Sequence, residues 1–375
     1  MIKSFKIRLE PNNIQKSKLF QSAGTARWAY NWTLAKQEQN YKNGGKFIKD
    51  GDLRKELTVL KQTQELKWFN NYSNNITKQA IKDACDAYCK FFKGLSKKPK
   101  FKSKKKSQPK FYQDTEKIKF KDGKVRLEKI GWVRLSEKDK IPENCKYTNP
   151  RVTFDGVHWY ISVGIETEQQ SVELTGASIG IDVGIKDLAV CSNIDTPYKN
   201  INKTKRIKKL EKKLRRLQRK VSNKYEKNKE GGSYVKTGNI IKLERNIKKL
   251  HKHLDNIRTD YRHKVTTEIV KTKPSQIVME SLNISGMIKN KHLSKAIQQQ
   301  GLYEFSRLIQ YNAERQGTKY VEADKWYPSS KTCSECGFVK TKLSLSEREF
   351  KCECCGAVLD RDKNASINLS RYKAS

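Results

Sequence analysis

Along residues 4–11 (SFKIRLEP) apolar and polar side chains alternate, the period-2 signature of a strand. The period then lengthens. Between residues 12 and 94 apolar positions recur every three or four residues. One run is Leu19, Phe20, Ala23, Ala26, Trp28, Tyr30 and Leu34; a second is Ile76, Ala80, Ile81, Ala84, Tyr88, Phe91 and Phe92, closing on Gly94. Both are predicted helices, and Cys85 and Cys89 on the second are read as small core residues. Residues 95–111 (LSKKPKFKSKKKSQPKF) break the pattern and predict a basic connector laid along phosphates. Residues 118–135 and 149–166 each alternate around an Asp-Gly pair and predict hairpins of a small β-domain.

From residue 174 the pattern changes again. GASIGIDVGIKDLAVCS reads as two apolar strands around a Gly-rich turn. Ile207, Leu210, Leu214, Leu217 and Val221 then step by three and four. So do Ile240, Leu243, Ile247, Leu250, Leu254, Ile257 and Tyr261. With NKEGGS between them, these runs predict an antiparallel helical hairpin with one apolar seam. Beyond it, PSQIVMESLNI predicts a strand carrying one acid, residues 295–317 a helix, and residues 318–330 a strand leading into a cysteine-rich region.

Composition changes what these elements can be for. The 375 residues carry 80 Lys and Arg against 40 Asp and Glu, a formal net charge of +40. An excess of one sign on that scale calls for a polyanion, and nucleic acid leads. The hairpin's outward charge is nearly all positive, which favours a phosphate-facing surface over a merely solvated coiled coil. No apolar run reaches transmembrane length, and the opening MIKSFKIRLEP lacks the apolar stretch of a signal peptide. An intracellular, reducing compartment is therefore expected.

Two groups of residues carry chemistry. Cys333 and Cys336, then Cys352 and Cys355, form C-x₂-C, a fifteen-residue gap and C-x₂-C, each pair followed by glycine. That spacing fits four thiolates around one structural Zn²⁺ in a zinc ribbon, with Cys354 as bystander. The second group is three acids. Asp182 and Glu280 each sit in an apolar strand, and Asp362 begins a predicted helix. Unpaired acids there are costly to bury, and convergent ones repel unless a cation holds them. Oxygen donors of this kind suit two Mg²⁺ ions in phosphodiester cleavage. Taken singly each acid has a local reading, Asp360 or Asp362 as a helix cap among them.

The segments GIDVGIKDLAV, VMESLNISGM, YPSSKTCSECG and CGAVLDRDKNASINL, in that order, resemble the transposon-encoded TnpB (OrfB) nucleases, small relatives of type V CRISPR effectors. FKIRLEPN, ARWAYNW, FFKG before PKFKSK, and YISVGIE extend the resemblance over essentially the whole chain. It implies an α+β multidomain protein with an RNase H-like (RuvC) nuclease domain, a zinc-ribbon insertion, a helical recognition domain and a β-barrel wedge domain. The implied limits are 1–12 for the first wedge strand, 13–95 recognition, 96–173 wedge, 174–328 RuvC with a basic hairpin at 203–262, 329–359 ribbon, and 360–375 the RuvC C-terminal segment.

The resemblance further implies cleavage of double-stranded DNA directed by a guide RNA from the transposon end, beside a short protein-read motif, by a monomer in a prokaryotic, nucleoid-associated ribonucleoprotein. Its three acids fall on Asp182, Glu280 and Asp362 as Mg²⁺ ligands, with Asp360 the runner-up. Arg348 is given a supporting role on phosphate, and Lys78, Gln79, Lys102, Lys104 and Lys105 are candidate nucleic-acid contacts. A miniature CRISPR-associated effector and a nuclease-silent DNA-binding regulator are the alternatives. The intact acids argue against the regulator. INL in place of the commoner INI, and the extra Cys354, are this chain's departures.

Overall fold

A computed structural model describes residues 2–168, 172–344 and 346–373. The chain divides into two compact units, residues 1–168 and 169–375, each considered by itself.

The first unit opens with strand β1 (Ile2–Glu10), as the alternation predicts. Helix α1 (Asn13–Lys42) starts at a reciprocal cap: the Asn12 side chain accepts from the Gln15 N–H, and the Gln15 side chain accepts from the Asn12 N–H. Helices α2 (Asp50–Leu60) and α3 (Asn74–Phe92) follow. Ala23, Ala26 and Ala29 of α1 and Ala80 and Ala84 of α3 are buried in one core, small residues that let the two helices approach closely. Cys85 is buried against Leu53, Leu57 and Ile81, as expected. Cys89 is exposed, correcting the expectation that both cysteines are core. It falls outside the buried strip of Ile81, Ala84, Cys85 and Tyr88.

Six more strands complete this unit: β2 (Lys110–Tyr112), β3 (Lys119–Lys121), β4 (Lys124–Leu127), β5 (Gly131–Leu135), β6 (Tyr147–Phe154) and β7 (Trp159–Glu166). The β3–β4 turn is Asp122-Gly123, with φ of 50° and 67°, the double left-handed conformation that explains the Asp-Gly choice. The sheet order is β2-β6-β7-β1-β5-β4-β3. Among the described residues no pairing joins β2 to β3, so the expected barrel is a seven-stranded antiparallel sheet with two short edges. Its inner face shares one hydrophobic core with α1 and α3. The helical and β segments both lie in the first compact unit.

The second unit is built on strands β8 (Thr175–Val183), β9 (Asp187–Cys191) and β10 (Tyr198–Lys199). Helix α4 (Lys205–Lys227), the short strands β11 (Lys229–Glu230) and β12 (Ser233–Tyr234), and helix α5 (Gly238–Lys271) form the basic hairpin. Ile207, Leu214, Leu250 and Leu254 are buried along its seam, as the spacing predicts. Strand β13 (Pro274–Glu280), helices α6 (Ile284–Lys289), α7 (Ser294–Gln300) and α8 (Leu302–Gln316), and strand β14 (Lys319–Ala323) follow. The chain then runs through β15 (Glu349–Lys351), β16 (Val358–Asp360) and α9 (Arg361–Ser370). No described helix is long and apolar enough to cross a membrane.

The main sheet has the order β10-β9-β8-β13-β14; β8, β13 and β14 are parallel, and β9 and β10 antiparallel. Side chains alternate between its faces. Ile179, Ile181, Ile277 and Met279 pack with α5 and α8. Val278 packs with Leu369 of α9 on the other face. Gly180 lies directly beneath α9, where a Cβ would collide with backbone at Ser366 and Ser370. Gly180→Ala is therefore expected to lift α9 off the sheet and cost at least about 2 kcal/mol, the upper range for ordinary substitutions. Thermal melting of the variant within ~1 °C of the parent would show that the helix does not sit there.

Candidate functional site

The same alternation that points Ile181 and Met279 at α5 and α8 turns Asp182 and Glu280 to the face carrying α9. Met279 lies beside Ile181 across the parallel β8–β13 pair, so the two acids lie at the same end of neighbouring strands and at the same level. Asp362 is in the first turn of α9. Three acids separated by up to 180 positions in sequence therefore meet at one end of the sheet.

Their electrostatics record the meeting. Burial, then the charges of Glu280 and Asp362, hold the Asp182 carboxyl well above the usual carboxylate range. Burial also raises Glu280. Hydrogen bonds from the Ser329 hydroxyl (2.9 Å) and from Asp182 partly offset this, while the Asp362 charge adds to it. Arg361 is the nearby cation: its Nε and Nη2 lie 3.2 and 3.1 Å from one Asp362 oxygen, and its Nη1 donates to the Glu347 carbonyl at 3.1 Å.

Asp360 does something different. It ends β16 and caps α9, its Oδ1 accepting the N–H groups of Asp362 and Lys363, both at 3.0 Å. Arg348 is exposed, and its carbonyl accepts the Arg361 N–H at 2.9 Å. The guanidinium beside the acids is that of Arg361, a residue sequence reasoning passed over in favour of Arg348.

The cysteines close a second centre. The Sγ atoms of Cys333, Cys336, Cys352 and Cys355 lie within 4.8 Å of one another. Cys333 is 3.7 Å from Cys355, and Cys336 is 3.6 Å from Cys352. A tetrahedron with Zn–S bonds of about 2.3 Å has edges of about 3.8 Å, so the four thiols fit zinc. The two knuckles repeat each other. Gly337 and Gly356, at φ 79° and 72°, donate to the Cys333 and Cys352 carbonyls. Backbone N–H groups of Cys355 and Cys354 draw the Cys352 thiol down to about 6, while hydrogen bonds with the neighbouring thiols hold Cys336 and Cys355 up, so these thiols titrate as one interacting group. Cys354 is exposed and outside the cluster.

The two centres are bolted together by side chains the sequence reading missed. Asn364, fully buried, accepts the Ser334 N–H (2.8 Å) and donates to the Thr332 carbonyl (2.7 Å). Asn368 donates to the Ser329 and Thr332 carbonyls, and Arg371 to the Ser334 carbonyl. Ser329 is also the residue that holds Glu280. A signal was available: two Asn residues four apart inside a short helix mark one polar face where Asn is otherwise a poor helix former. On the far side, Lys363 donates to the Ser192 and Ile194 carbonyls at 3.1 and 2.7 Å, tying α9 to the end of β9.

The proposed nucleic-acid residues separate into two kinds. Lys78, Lys104 and Lys105 are exposed. Gln79 donates to Asp83, which is gripped bidentately by Arg151, so it serves a local network. Lys102 is turned inward. Its Nζ lies 3.1 Å from the centre of the Tyr30 ring, and burial pushes its pKa down to about 8.

Three family profiles match the chain: "Helix-turn-helix domain" over residues 1–46, "Probable transposase" over 160–291, and "Cas12f1-like, TNB domain" over 303–369. The Escherichia coli (strain K12) protein provisionally named RNA-guided DNA endonuclease InsQ is 29% identical, the alignment covering 98% of this chain and 91% of that protein. A Streptomyces pristinaespiralis protein, provisionally named an RNA-guided DNA endonuclease, is 30% identical over 98% of this chain and 88% of its own length. A solved Cas12f1–sgRNA–target DNA complex shares the fold at a TM-score of 0.61 and 14% identity, covering 99% of this chain and 98% of that one. With a relative at 30% identity across nearly its full length, the chain belongs to the TnpB (OrfB) family.

Proposed function

We propose that this protein is an RNA-guided DNA endonuclease of a transposon, which cuts phosphodiester bonds at the Asp182, Glu280 and Asp362 cluster. The observation that carries the reading is the convergence of those three acids beneath α9 in a chain of this family. The order β10-β9-β8-β13-β14, with an antiparallel half and a parallel half, supports an RNase H-like (RuvC) core. In this reading α1–α3 form the recognition element and the seven-stranded sheet the wedge. Residues 329–359 are a zinc ribbon held by one structural zinc.

Three carboxylates converging at one end of the sheet offer the hard oxygen donors that a pair of magnesium ions would take. When bound there, magnesium would supply an activated water and neutralise charge at the leaving oxygen. The protein's own contribution is orientation and proton release. Ser329 fixes Glu280, Arg361 fixes Asp362, and α9 fixes both the height and the direction of Asp362. Asp182 and Glu280 must give up the proton that burial and mutual repulsion favour before both can act as ligands. Arg348, Lys78, Lys104 and Lys105 would contact phosphates.

The relatives' names and the RNA- and DNA-bound structural neighbour support guide RNA and target DNA as partners. The charge of +40 supplies the required polyanion affinity. The test is to sequence RNA that copurifies with the protein and to assay Mg²⁺-dependent DNA cleavage before and after ribonuclease digestion. Digestion should abolish cleavage; cleavage that survives it sinks the RNA-guided reading.

Asp360→Ala separates cap from ligand. Losing the cap is expected to cost about 1 kcal/mol of stability, with cleavage slowed but measurable. A folded Asp360→Ala protein with no cleavage at all would transfer the ligand role from Asp362 to Asp360.

A further inference from the structure

One surface of the first unit carries more than the general recognition role assigned to α1–α3. A groove of about 610 Å³ runs beside α1, lined by Trp28, Trp32, Trp68, Tyr72 and Phe101, with Arg27 on its wall. Trp68 and Phe101 remain 39% and 54% exposed, a large apolar area to leave in water. The rings are set in order. Trp28 and Trp32, one helical turn apart, lie 6.3 Å apart and within 10° of parallel. Trp68 stacks on the buried Phe69 at 3.9 Å, which backs it from behind and leaves its outer side to the groove.

Phe101 is brought there by a clamp. The Asn31 side chain accepts the Lys102 N–H and donates to the Lys102 carbonyl, both at 2.8 Å. Lys102 itself is anchored over Tyr30. The basic connector is thereby pinned at one point, with Phe101 at the groove and Lys100, Lys104 and Lys105 exposed around it. Lys36 and Lys61 lie over rings of the same cluster, Trp32 and Phe69, at 5.9 and 5.5 Å. Lys36 is paired with Glu56, however, and Lys61 donates to Asn74 and Thr77, so the lysines left for phosphates are Lys100, Lys104 and Lys105.

Flat aromatic faces interleaved with cations match one ligand chemistry: bases presented by a phosphate backbone. Stacking accepts any base, and the lysines follow the phosphates. A neutral lipid or an apolar peptide would use the rings but not the charge. A paired duplex would use the charge but hide its base faces. We propose that this groove is a stacking site for unpaired bases of a single-stranded polynucleotide. The proposal does not require the acid cluster to cut DNA, so it is tested on a chain carrying Asp182→Asn.

The experiment measures binding of fluorescent oligouridylate, oligothymidylate and a blunt DNA duplex to full-length, ribonuclease-stripped protein at elevated salt. It compares Trp68→Ala, Phe101→Ala, the double variant and Trp68→Tyr. Each alanine variant should weaken single-strand binding by about tenfold or more, with duplex binding and the salt slope unchanged. Trp68→Tyr should recover most of the loss. Phe101 lies in an exposed connector, so its variant is expected to fold, as an unchanged melting temperature would verify. A loss confined to oligouridylate identifies RNA as the occupant, and a loss confined to oligothymidylate identifies DNA. Unchanged single-strand affinity in the folded double variant, an equal loss for the duplex, or binding of an acidic aromatic peptide that is lost in the double variant yet is not competed by the oligonucleotides would overturn the proposal.

Discussion

Asp182→Asn is expected to have two opposite effects: loss of DNA cleavage and a gain in stability of the metal-free protein. The loss should be at least about a thousandfold, because a ligand carboxylate supports several kcal/mol of charge stabilisation in the reacting state. The gain follows from the raised carboxyl. Its folded pKa lies above the unfolded value of about 3.9, so the folded state holds a proton more tightly than the unfolded one. Stability from that group is complete below about pH 4 and is lost as pH rises toward the folded value. Near neutrality the acid is therefore a burden that the uncharged amide lacks. Thermal melting without metal should show the variant higher at pH 8 by a few degrees, with the gap narrowing toward pH 4. Added Mg²⁺ should raise the melting temperature of the parent at pH 8 and leave the variant nearly unmoved. A variant that melts below the parent at pH 8 without metal would mean that the acid stabilises the fold and is not strained.

The second large effect concerns zinc. Cys352→Ser is expected to lose the metal and, with it, nearly all cleavage, although the four cysteines touch none of the three acids in sequence. Two hairpin knuckles bury little apolar area, with Phe350 and Leu343 the main contributors, so the metal supplies most of the ribbon's order. Once the ribbon loosens, Ser334 and Thr332 no longer hold Asn364 and Asn368, and Ser329 no longer holds Glu280. Cys354→Ser should keep zinc and activity. Asn364→Ala and Asn368→Ala should keep zinc yet slow cleavage by about tenfold or more. Each leaves buried backbone groups unpaired at a cost of about 1–3 kcal/mol. Zinc release assayed on denaturation, beside cleavage rates, checks all four. Full cleavage by a zinc-free protein would show the ribbon to be mechanically independent of the acids.

The elements were legible where one physical rule governed them. Period-2 and heptad spacing found β1, the hairpins and the α4–α5 seam because each buries a single face. Paired C-x₂-C-G motifs identified the four cysteines and excluded Cys354, since thiolate geometry leaves few arrangements. Other features depended on contacts that no local pattern encodes. Cys89 has the same spacing as core residues but falls just off the buried strip. Lys102 sits in a run of exposed lysines, yet Asn31 and Tyr30, some 70 positions earlier, draw it inward. Arg348 and Arg361 are equally plausible as bare letters; only the packing of α9 against β8 turns Arg361 to the acids. The strand order, with β8 central and β13 parallel to it, joins segments nearly 100 residues apart and rests on long-range pairing rather than on any short segment.

The most direct measurement reprograms the guide. Two guide RNAs are loaded separately on the wild-type protein, and each ribonucleoprotein is given both matching DNAs, with identical flanks, in Mg²⁺. Each should cut only the DNA matched to its own guide, at the same offset from the flank, and the Asp182→Asn protein should bind both targets and cut neither. Cutting that ignores the guide, or equal cutting by the Asp182→Asn protein, would contradict guided cleavage at this carboxylate cluster.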